Sequence, residues 1–324
     1  MRTTKLTLAV LTTLALSMTA SAGHAQSWPT QTWPTQVVKI ITPFPPGSGG
    51  DITARPFAEK LAKRWGKPVI VENRPGADGI IAVTAVLNSS DGHTLLYTNG
   101  GPLTSNLLSH AGSLPYNPDD LLPVAAAADV YVAIGVPASQ ATSSLAEFVA
   151  QARVKAGQFN WSGTPGSLDY LVPGFLKRAG IDLPRVPYRE VSLAMQDLAQ
   201  DRLQFYVAAL ATQQPMSQSG KIRIIALTNS QRSPSMPDVP TAREAGFPEL
   251  EYEAFLGFFA PRGMPTSLRE RISADLRAVG AEEDLASRFD PIGMRMHVTS
   301  PAELQKIVAD ERAALARYTQ AAPK

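Results

Sequence analysis

Hydrophobic positions along this chain fall into short runs that alternate with longer stretches of helical spacing. Runs rich in β-branched and aromatic residues predict strands at 37–41, 69–71, 94–98, 130–136, 159–161, 185–188, 204–208, 222–227 and 255–260. Apolar residues spaced by three and four predict helices at 52–65, 79–87, 143–155, 168–178, 266–279 and 301–318. This alternation of strand, loop and helix predicts an α/β protein with a mostly parallel, doubly wound sheet.

Polar residues and glycines mark several of the predicted helix ends. Asp78 is placed to cap the N-terminus of the second helix, and Ser143 or Ser144 that of the third. Gly180 follows the fourth helix, where a glycine can take the left-handed conformation that ends a helix. These residues therefore predict where three of the helices begin or end.

The first 25 residues have the features of a secretory signal peptide. Arg2 and Lys5 precede an apolar run at 6–20 that is too short to span a bilayer, and a cleavage site follows after Ala25. A single membrane anchor is the alternative, but the polar, proline-rich segment 27–36 stands where a stop-transfer pattern would be. We therefore expect cleavage at 25 and export to the periplasm.

Composition narrows the class of protein further. The chain has no cysteine, so we expect no disulfide framework, no thiolate metal site and no lipoprotein anchor. Its 30 basic and 28 acidic residues are mixed along the sequence, which argues against a nucleic-acid partner.

A mature chain of roughly 300 residues can form two domains. We place domain 1 at 27–128 together with about 250–324, and domain 2 at 129–249.

Three loops rich in glycine and small polar residues follow predicted strands and precede helices. The first loop is 44–51, the second loop is 162–167 and the third loop is 98–101. Ligands of open α/β sheets bind beyond the carboxyl ends of strands, and helix N-termini bind anions through backbone N–H groups. The loops therefore predict an anion site, although each one taken singly could be a tight turn and nothing more. The candidate residues are Phe44, Pro45, Pro46, Gly47, Ser48, Gly49, Asp51, Thr98, Asn99, Ser162, Gly163, Thr164, Gly166 and Ser167.

Two arginines and one tyrosine near these loops need separate interpretation. Arg55 lies four residues after Asp51 and is expected to pair with it. Arg189 follows a predicted strand and could clamp a carboxylate with its planar guanidinium, or it could be a solvated arginine beside Glu190. Tyr188 is one of several aromatic residues at strand ends, most of which should pack in the core. Any that face the ligand would favour an apolar or aromatic molecule.

Sequence patterns for catalysis and metal binding are missing. His24, His93, His110 and His297 show no metal-type spacing, and no Gly-x-Ser-x-Gly motif occurs. The first loop lacks the Gly-Lys-Ser/Thr ending of a phosphate-binding loop. We therefore expect a protein that is not an enzyme and that uses no cofactor and no metal.

Several short motifs are spread over the whole mature chain. Residues 43–51 read Pro-Phe-Pro-Pro-Gly-Ser-Gly-Gly-Asp, and residues 71–77 read Val-Glu-Asn-Arg-Pro-Gly-Ala. Further motifs stand at 114–118, 232–234, 237–241, 244–246 and 260–265. In sequence and order this set resembles the signatures of the Bug-type receptors of tripartite tricarboxylate transporters.

The resemblance implies a two-domain, type II periplasmic-binding-protein fold that closes on its ligand like a Venus flytrap, with the cleft between the domains. It also implies a small carboxylate ligand held by backbone amides, hydroxyl groups and waters. The amides of 46–50 would meet the carboxylate from one side and the second loop from the other. The implied partners are one large and one small integral membrane subunit, and we expect the receptor to be a monomer. A receptor that signals to a membrane sensor and a periplasmic enzyme on the same fold are the alternatives.

Two departures from the family pattern bear on the ligand. Family members commonly have glycines and an Ala-Pro-Ala-Leu segment after the tyrosine of the middle strand, where residues 189–195 here read Arg-Glu-Val-Ser-Leu-Ala-Met. An acidic residue often follows the strand at 204–207, where this chain has Ala208. We therefore add Ala208 to the candidate ligand-binding residues and hypothesise an aromatic or otherwise hydrophobic carboxylate.

Overall fold

The computed structural model describes residues 32–188 and 190–320, with side chains up to residue 317. The predicted signal peptide and Arg189 lie outside the described residues. The strands are β1 (Val38–Thr42), β2 (Val69–Asn73), β3 (Thr94–Asn99), β4 (Leu121–Val130), β5 (Val132–Pro137), β6 (Trp161–Gly163), β7 (Phe205–Ala209), β8 (Ile222–Leu227), β9 (Ala254–Pro261) and β10 (Met294–Met296). The helices are α1 (Gly49–Trp65), α2 (Ile80–Leu87), α3 (Asn106–Ser109), α4 (Leu145–Val154), α5 (Leu168–Ala179), α6 (Val191–Ala199), α7 (Leu210–Gln218), α8 (Thr266–Gly280), α9 (Glu283–Ala286) and α10 (Pro301–Gln320).

The strands form two mixed sheets. The first sheet has the order β10-β4-β9-β3-β1-β2, in which β1 is parallel to β2 and β3 and the other pairs are antiparallel. The second sheet has the order β6-β7-β5-β8, in which only β6 and β7 are parallel. The expectation of a mostly parallel sheet was therefore wrong. The chain leaves the first sheet along β4 and returns along the adjacent β9, so these two central strands must run in opposite directions.

Each sheet has its own aromatic core. Beside the first sheet, the ring of Phe57 on α1 lies 5.4 Å from that of Phe258 and 6.1 Å from that of Phe289, both in edge-on contact. Beside the second sheet, Phe205 on β7 stacks against Phe148 at 4.8 Å and Phe175 at 6.2 Å. All of these side chains are buried, so each sheet is stabilised by its own helices.

The C-terminal helix α10 packs into both halves of the molecule. Leu304, near its start, is buried in a core beside the first sheet, whereas Leu315 belongs to the core of the second sheet. Eleven residues of helix span about 17 Å, so α10 reaches from one core to the other. The domain boundaries at 128 and about 250 stay predictions.

Several local expectations can be compared directly with the structure. Ser144 caps α4 by accepting a hydrogen bond from the Glu147 backbone N–H at 3.2 Å, and Gly180 ends α5 with φ 65°, so both predictions are confirmed. The predicted strand at 185–188 is reduced to a single bridge between Arg185 and Trp161. Within the described ranges, no helix is both long and apolar enough to cross a membrane.

Strand β4 was not expected. Its centre, 124–128, reads Val-Ala-Ala-Ala-Ala, and alanine is depleted in strands. In the structure α8 and α10 pack against β4, and its alanines are completely buried. Small side chains allow helices to approach a sheet closely, so the tertiary packing explains a composition that local propensity does not.

Candidate ligand-binding site

The first loop is fixed by a buried carboxylate. Asp51 is 3% exposed and accepts hydrogen bonds from the Gly47 backbone N–H at 2.9 Å and the Asn73 side chain at 2.7 Å. Arg55 donates to both of its oxygens, at 3.0 and 2.7 Å, which confirms the expected pair. The Asn73 amide also donates to the Phe44 carbonyl at 2.9 Å. Asp51 and Asn73 together hold the loop against the end of β2.

The ionised form of Asp51 is strongly favoured. Burial by itself would raise the pKa of Asp51, but the hydrogen bonds from Arg55, Asn73 and the Gly47 N–H outweigh that effect. The pKa of Asp51 consequently falls from 3.8 to about 2. The charge of Arg55 is therefore engaged within the loop.

The first three amides of α1 are backbone donors that the loop leaves unengaged. The Ser48 N–H and hydroxyl both donate to the Pro45 carbonyl, at 3.2 and 2.7 Å, and the Gly47 N–H is held by Asp51. The N–H groups of Gly49, Gly50 and Asp51 have no acceptor in the described part of the chain. These three amides, which lie at a helix N-terminus beyond the carboxyl end of β1, can bind an anion.

Glycine at position 50 is required by the packing of Phe44. A Cβ atom at Gly50 would lie 2.1 Å from Cδ2 of the Phe44 ring. At Gly49 the nearest atom to such a Cβ would be Cε of Met294 on β10, at 2.9 Å. The two glycines therefore allow side chains to pack directly against the helix backbone.

In the second loop, several donors are already engaged. The Thr164 N–H donates to the Val207 carbonyl at 3.1 Å, and the Gly166 N–H donates to Asp169 Oδ2 at 3.1 Å. The Ser167 hydroxyl donates to Glu311 Oε1 at 2.6 Å. A Cβ at Gly163 would lie 2.7 Å from the Val207 carbonyl oxygen. Ser162 is buried in β6, whereas Thr164 is exposed.

The residues just after the third loop lie near the segment that precedes the first loop and near the second loop. Thr98 is buried, and its hydroxyl has no hydrogen-bond partner among the described residues, while Asn99 is exposed. Pro102, just after the third loop, lies 3.1 Å from the position of a Cβ at Gly79, and Pro43 lies 3.5 Å from it. Ser105 Oγ lies 3.7 Å from the corresponding Cβ position at Gly166 of the second loop. The structure thus brings loops from the two sheets together.

The segment 76–79 next to these loops was missed as a possible part of the site. Its four residues all have positive φ: Gly76 119°, Ala77 47°, Asp78 52° and Gly79 86°. Left-handed backbone is uncommon outside glycine, and such strained residues cluster at functional sites. The signals in the sequence are the motif at 71–77 and the pair of glycines that flank Ala77 and Asp78.

Asp78 is not the N-cap that the sequence predicted. Helix α2 begins at Ile80, and its cap residue is Gly79, with φ 86°. The backbone carbonyl of Asp78 accepts a hydrogen bond from Asn106 at 3.0 Å, and its carboxylate lies 3.0 Å from His110 Nε2. The expectation was wrong because the left-handed backbone turns the Asp78 side chain towards α3 and its neighbours.

The remaining candidate residues lie in the second half. Ala208 is fully buried in a core that includes Leu198 of α6. The Tyr188 hydroxyl donates to Asp197 Oδ2 at 2.8 Å; burial, followed by this carboxylate, raises the pKa of Tyr188 to about 12. Whether Tyr188, Arg189 and Ala208 contact a ligand stays a prediction.

Across 32–188 and 190–320, no group of three or more histidine, aspartate or glutamate side chains is arranged to hold a metal ion. What the three loops offer is a set of backbone donors and hydroxyl groups.

A family model described as the tripartite tricarboxylate transporter family receptor matches residues 53–322. The chain belongs to this family. Receptors of this type bind solutes and are not enzymes. Among related proteins, the UPF0065 protein in the tcbD–tcbE intergenic region of Pseudomonas sp. (strain P51) is 31% identical, over 93% of this chain and 90% of its own length. Protein BugT of Bordetella pertussis is 28% identical, over 90% of this chain and 91% of its own length.

Solved structures of similar receptors support the same assignment. R. palustris Rpa4515 with adipate is 27% identical with a TM-score of 0.76, and the match covers 89% of this chain and 97% of that one. MatC (Rpa3494) from Rhodopseudomonas palustris with bound malate is 26% identical with a TM-score of 0.72, covering 88% and 99%. The predicted Bug-type family and the periplasmic-binding-protein fold are confirmed.

Proposed function

We propose that this receptor captures a small carboxylate between its two halves and delivers it to a tripartite membrane transporter. The observation that carries the proposal is the row of unengaged amides at Gly49, Gly50 and Asp51. A carboxylate placed there would accept hydrogen bonds and meet the positive end of α1. Arg55 is held by Asp51, so the first loop would bind the anion through its backbone.

The second half would complete the site on closure. Ser162 and Thr164, at the end of β6 and in the loop after it, carry hydroxyl groups that can donate to a carboxylate. Closing the two halves on the ligand would exclude water and strengthen these hydrogen bonds. The expected ligand is a small carboxylate because two similar receptors were solved with the dicarboxylates adipate and malate.

We propose an aromatic or otherwise hydrophobic acid within that class. The support is Ala208, an apolar residue where the family pattern often has an acidic one. The receptor would act in the periplasm as a monomer after cleavage of its signal peptide. It would then pass the acid to one large and one small integral membrane subunit.

A thermal-shift screen of the mature protein tests the proposed ligand class. The panel contains adipate, malate, citrate, benzoate and phenylacetate. An acid present at 100 times its dissociation constant should raise the free energy of unfolding by about 2.7 kcal/mol, which corresponds to several degrees in melting temperature. The matched controls are the amides of the same acids, which keep the shape but lose the charge.

Each outcome of the screen decides one part of the proposal. Shifts with benzoate or phenylacetate, but not with their amides, would support capture of a hydrophobic carboxylate. Shifts confined to adipate, malate and citrate would support the receptor and contradict the hydrophobic ligand. If acids and amides leave the melting temperature unchanged, capture of a carboxylate is contradicted.

A further inference from the structure

A buried carboxyl group lies where the two halves of the molecule meet. Glu311 stands on α10 between Leu304 and Leu315, which belong to the cores of the first and second sheets. Its side chain is 7% exposed. Glutamate is seldom buried to this extent without a charged partner, because burying a carboxylate costs a large desolvation free energy.

Glu311 forms hydrogen bonds with the second half of the molecule and packs against the first half. Its Oε1 accepts hydrogen bonds from the Ser167 hydroxyl at 2.6 Å and from the Tyr252 hydroxyl at 3.2 Å. Its Oε2 lies only 2.2 Å from where a Cβ atom of Gly100 would be, so the carboxyl group fills the space beside the third loop. Ser167 closes the second loop and Gly100 belongs to the third, and these loops follow strands of different sheets.

We infer that Glu311 is a positioning residue for ligand capture, because its buried carboxyl group fixes the second loop relative to the third loop across the two halves. A shift of Ser167 would move the hydroxyl-bearing loop that the ligand is expected to meet. Gly100 can lie this close to Glu311 only because it has no side chain. The inference rests on the proposed function, since it assigns a role within the same site.

The chemistry around Glu311 also predicts a pH dependence. Burial raises the pKa of Glu311 above 4.5, and the hydroxyls of Ser167, Tyr252 and Thr104, which face it from the neighbouring elements, offset only part of this effect. A carboxyl group whose pKa is higher in the folded state than in the unfolded state stabilises the fold fully at a pH below its unfolded pKa. This stabilisation is lost as the pH rises through the folded pKa. Stability conferred by Glu311 is therefore greatest at low pH and is lost as the group ionises.

Amide hydrogen exchange tests the positioning role without any ligand. The variants are Glu311→Ala, which removes the carboxyl group, and Glu311→Gln, which keeps its shape and its acceptor oxygen. Asp310→Asn is the matched control, because Asp310 is an exposed carboxylate on the same helix that pairs with Lys306. We expect exchange of the amides in both the second and third loops to be about tenfold faster in Glu311→Ala and unchanged in Asp310→Asn. Exchange in Glu311→Ala equal to that of the wild type at these loops would overturn the inference.

Titration calorimetry then separates the role of Glu311 from the proposed function. The probe is whichever of adipate, malate, citrate, benzoate and phenylacetate stabilises the wild-type protein. We expect about tenfold weaker binding in Glu311→Ala and binding within about threefold of wild type in Glu311→Gln. If Glu311→Ala binds the probe as tightly as the wild type does, the inference about Glu311 is contradicted and the proposed function is not. Failure of the wild type to bind any of the five contradicts the proposed function, while the exchange experiment still decides the inference.

The pH dependence of stability in Glu311→Gln distinguishes a carboxyl group that titrates from a residue that only fills space. The fall in stability of the wild type with rising pH should be reduced in this variant, because glutamine does not ionise. An unchanged pH profile would show that Glu311 does not titrate as its surroundings require. If Glu311→Ala does not fold, a double-mutant cycle of Ser167→Ala with Glu311→Met, which keeps the length of the side chain but has no acceptor for the Ser167 hydroxyl, replaces it. Additive effects of the two changes on loop exchange would then overturn the inference.

Discussion

Replacing Asp51 by alanine should lower the free energy of unfolding by about 3 kcal/mol, because the change removes the acceptor that holds three donors in place. The Gly47 N–H, the Asn73 side chain and the Arg55 guanidinium would all lose a partner. The first loop would then lose its fixed conformation, and binding of any acid at the α1 amides should weaken with it. Urea unfolding followed by circular dichroism measures the first effect, and calorimetry measures the second.

The control for Asp51 lies on the same helix. Glu59 is exposed and pairs with Lys63 at 2.8 Å, so Glu59→Gln should leave stability and binding unchanged. Equal stability of Asp51→Ala and Glu59→Gln would contradict the role given to Asp51.

Acid unfolding provides a second test of the same group. The pKa of Asp51 is lowered from 3.8 to about 2 in the folded protein. Its stabilising effect is therefore complete above pH 3.8 and is lost as the pH falls through about 2, a change of about 2 kcal/mol. Asp51→Asn, which cannot titrate, should show a smaller loss of stability over this interval than the wild type.

Replacing Gly50 by alanine should lower the free energy of unfolding by about 2 to 3 kcal/mol and abolish the ligand-dependent thermal shift. The added methyl group would lie 2.1 Å from the Phe44 ring, so either the ring or the start of α1 must move. Movement of the start of α1 would displace the amides at Gly49 and Gly50 that are proposed to bind the carboxylate, and movement of the Phe44 ring would disturb the packing of the first loop against them. Urea unfolding and the thermal-shift screen measure the two effects on one preparation.

A double-mutant cycle identifies the cause of the Gly50→Ala defect. If the Phe44 ring is the obstacle, Gly50→Ala should cost much less stability in a Phe44→Ala background than in the wild type. A defect of equal size in both backgrounds would show that the collision with Phe44 is not the cause. Full stability and a normal thermal shift in Gly50→Ala would contradict the packing argument altogether.

The parts of the fold that the sequence predicted correctly are those with strong local patterns. The strand at 222–227 and the helix end at Gly180 were found because apolar periodicity and a left-handed glycine depend only on neighbouring residues. The pair of Asp51 and Arg55 was found for the same reason, since residues four apart share a helix face. The small-residue strand β4 was missed because its composition is explained by helices that pack on it from far along the chain.

The sequence by itself determined the family, the order of most strands and helices, and the three loops that follow strands and precede helices. Only the tertiary structure decided which donors in those loops are engaged and which are available to a ligand. The contact between Ser167 and Glu311 joins residues 144 positions apart, and no local pattern indicates it. Periodicity and capping are set by interactions within a few residues, whereas the partner of a buried hydroxyl or carboxyl group depends on how distant elements pack together.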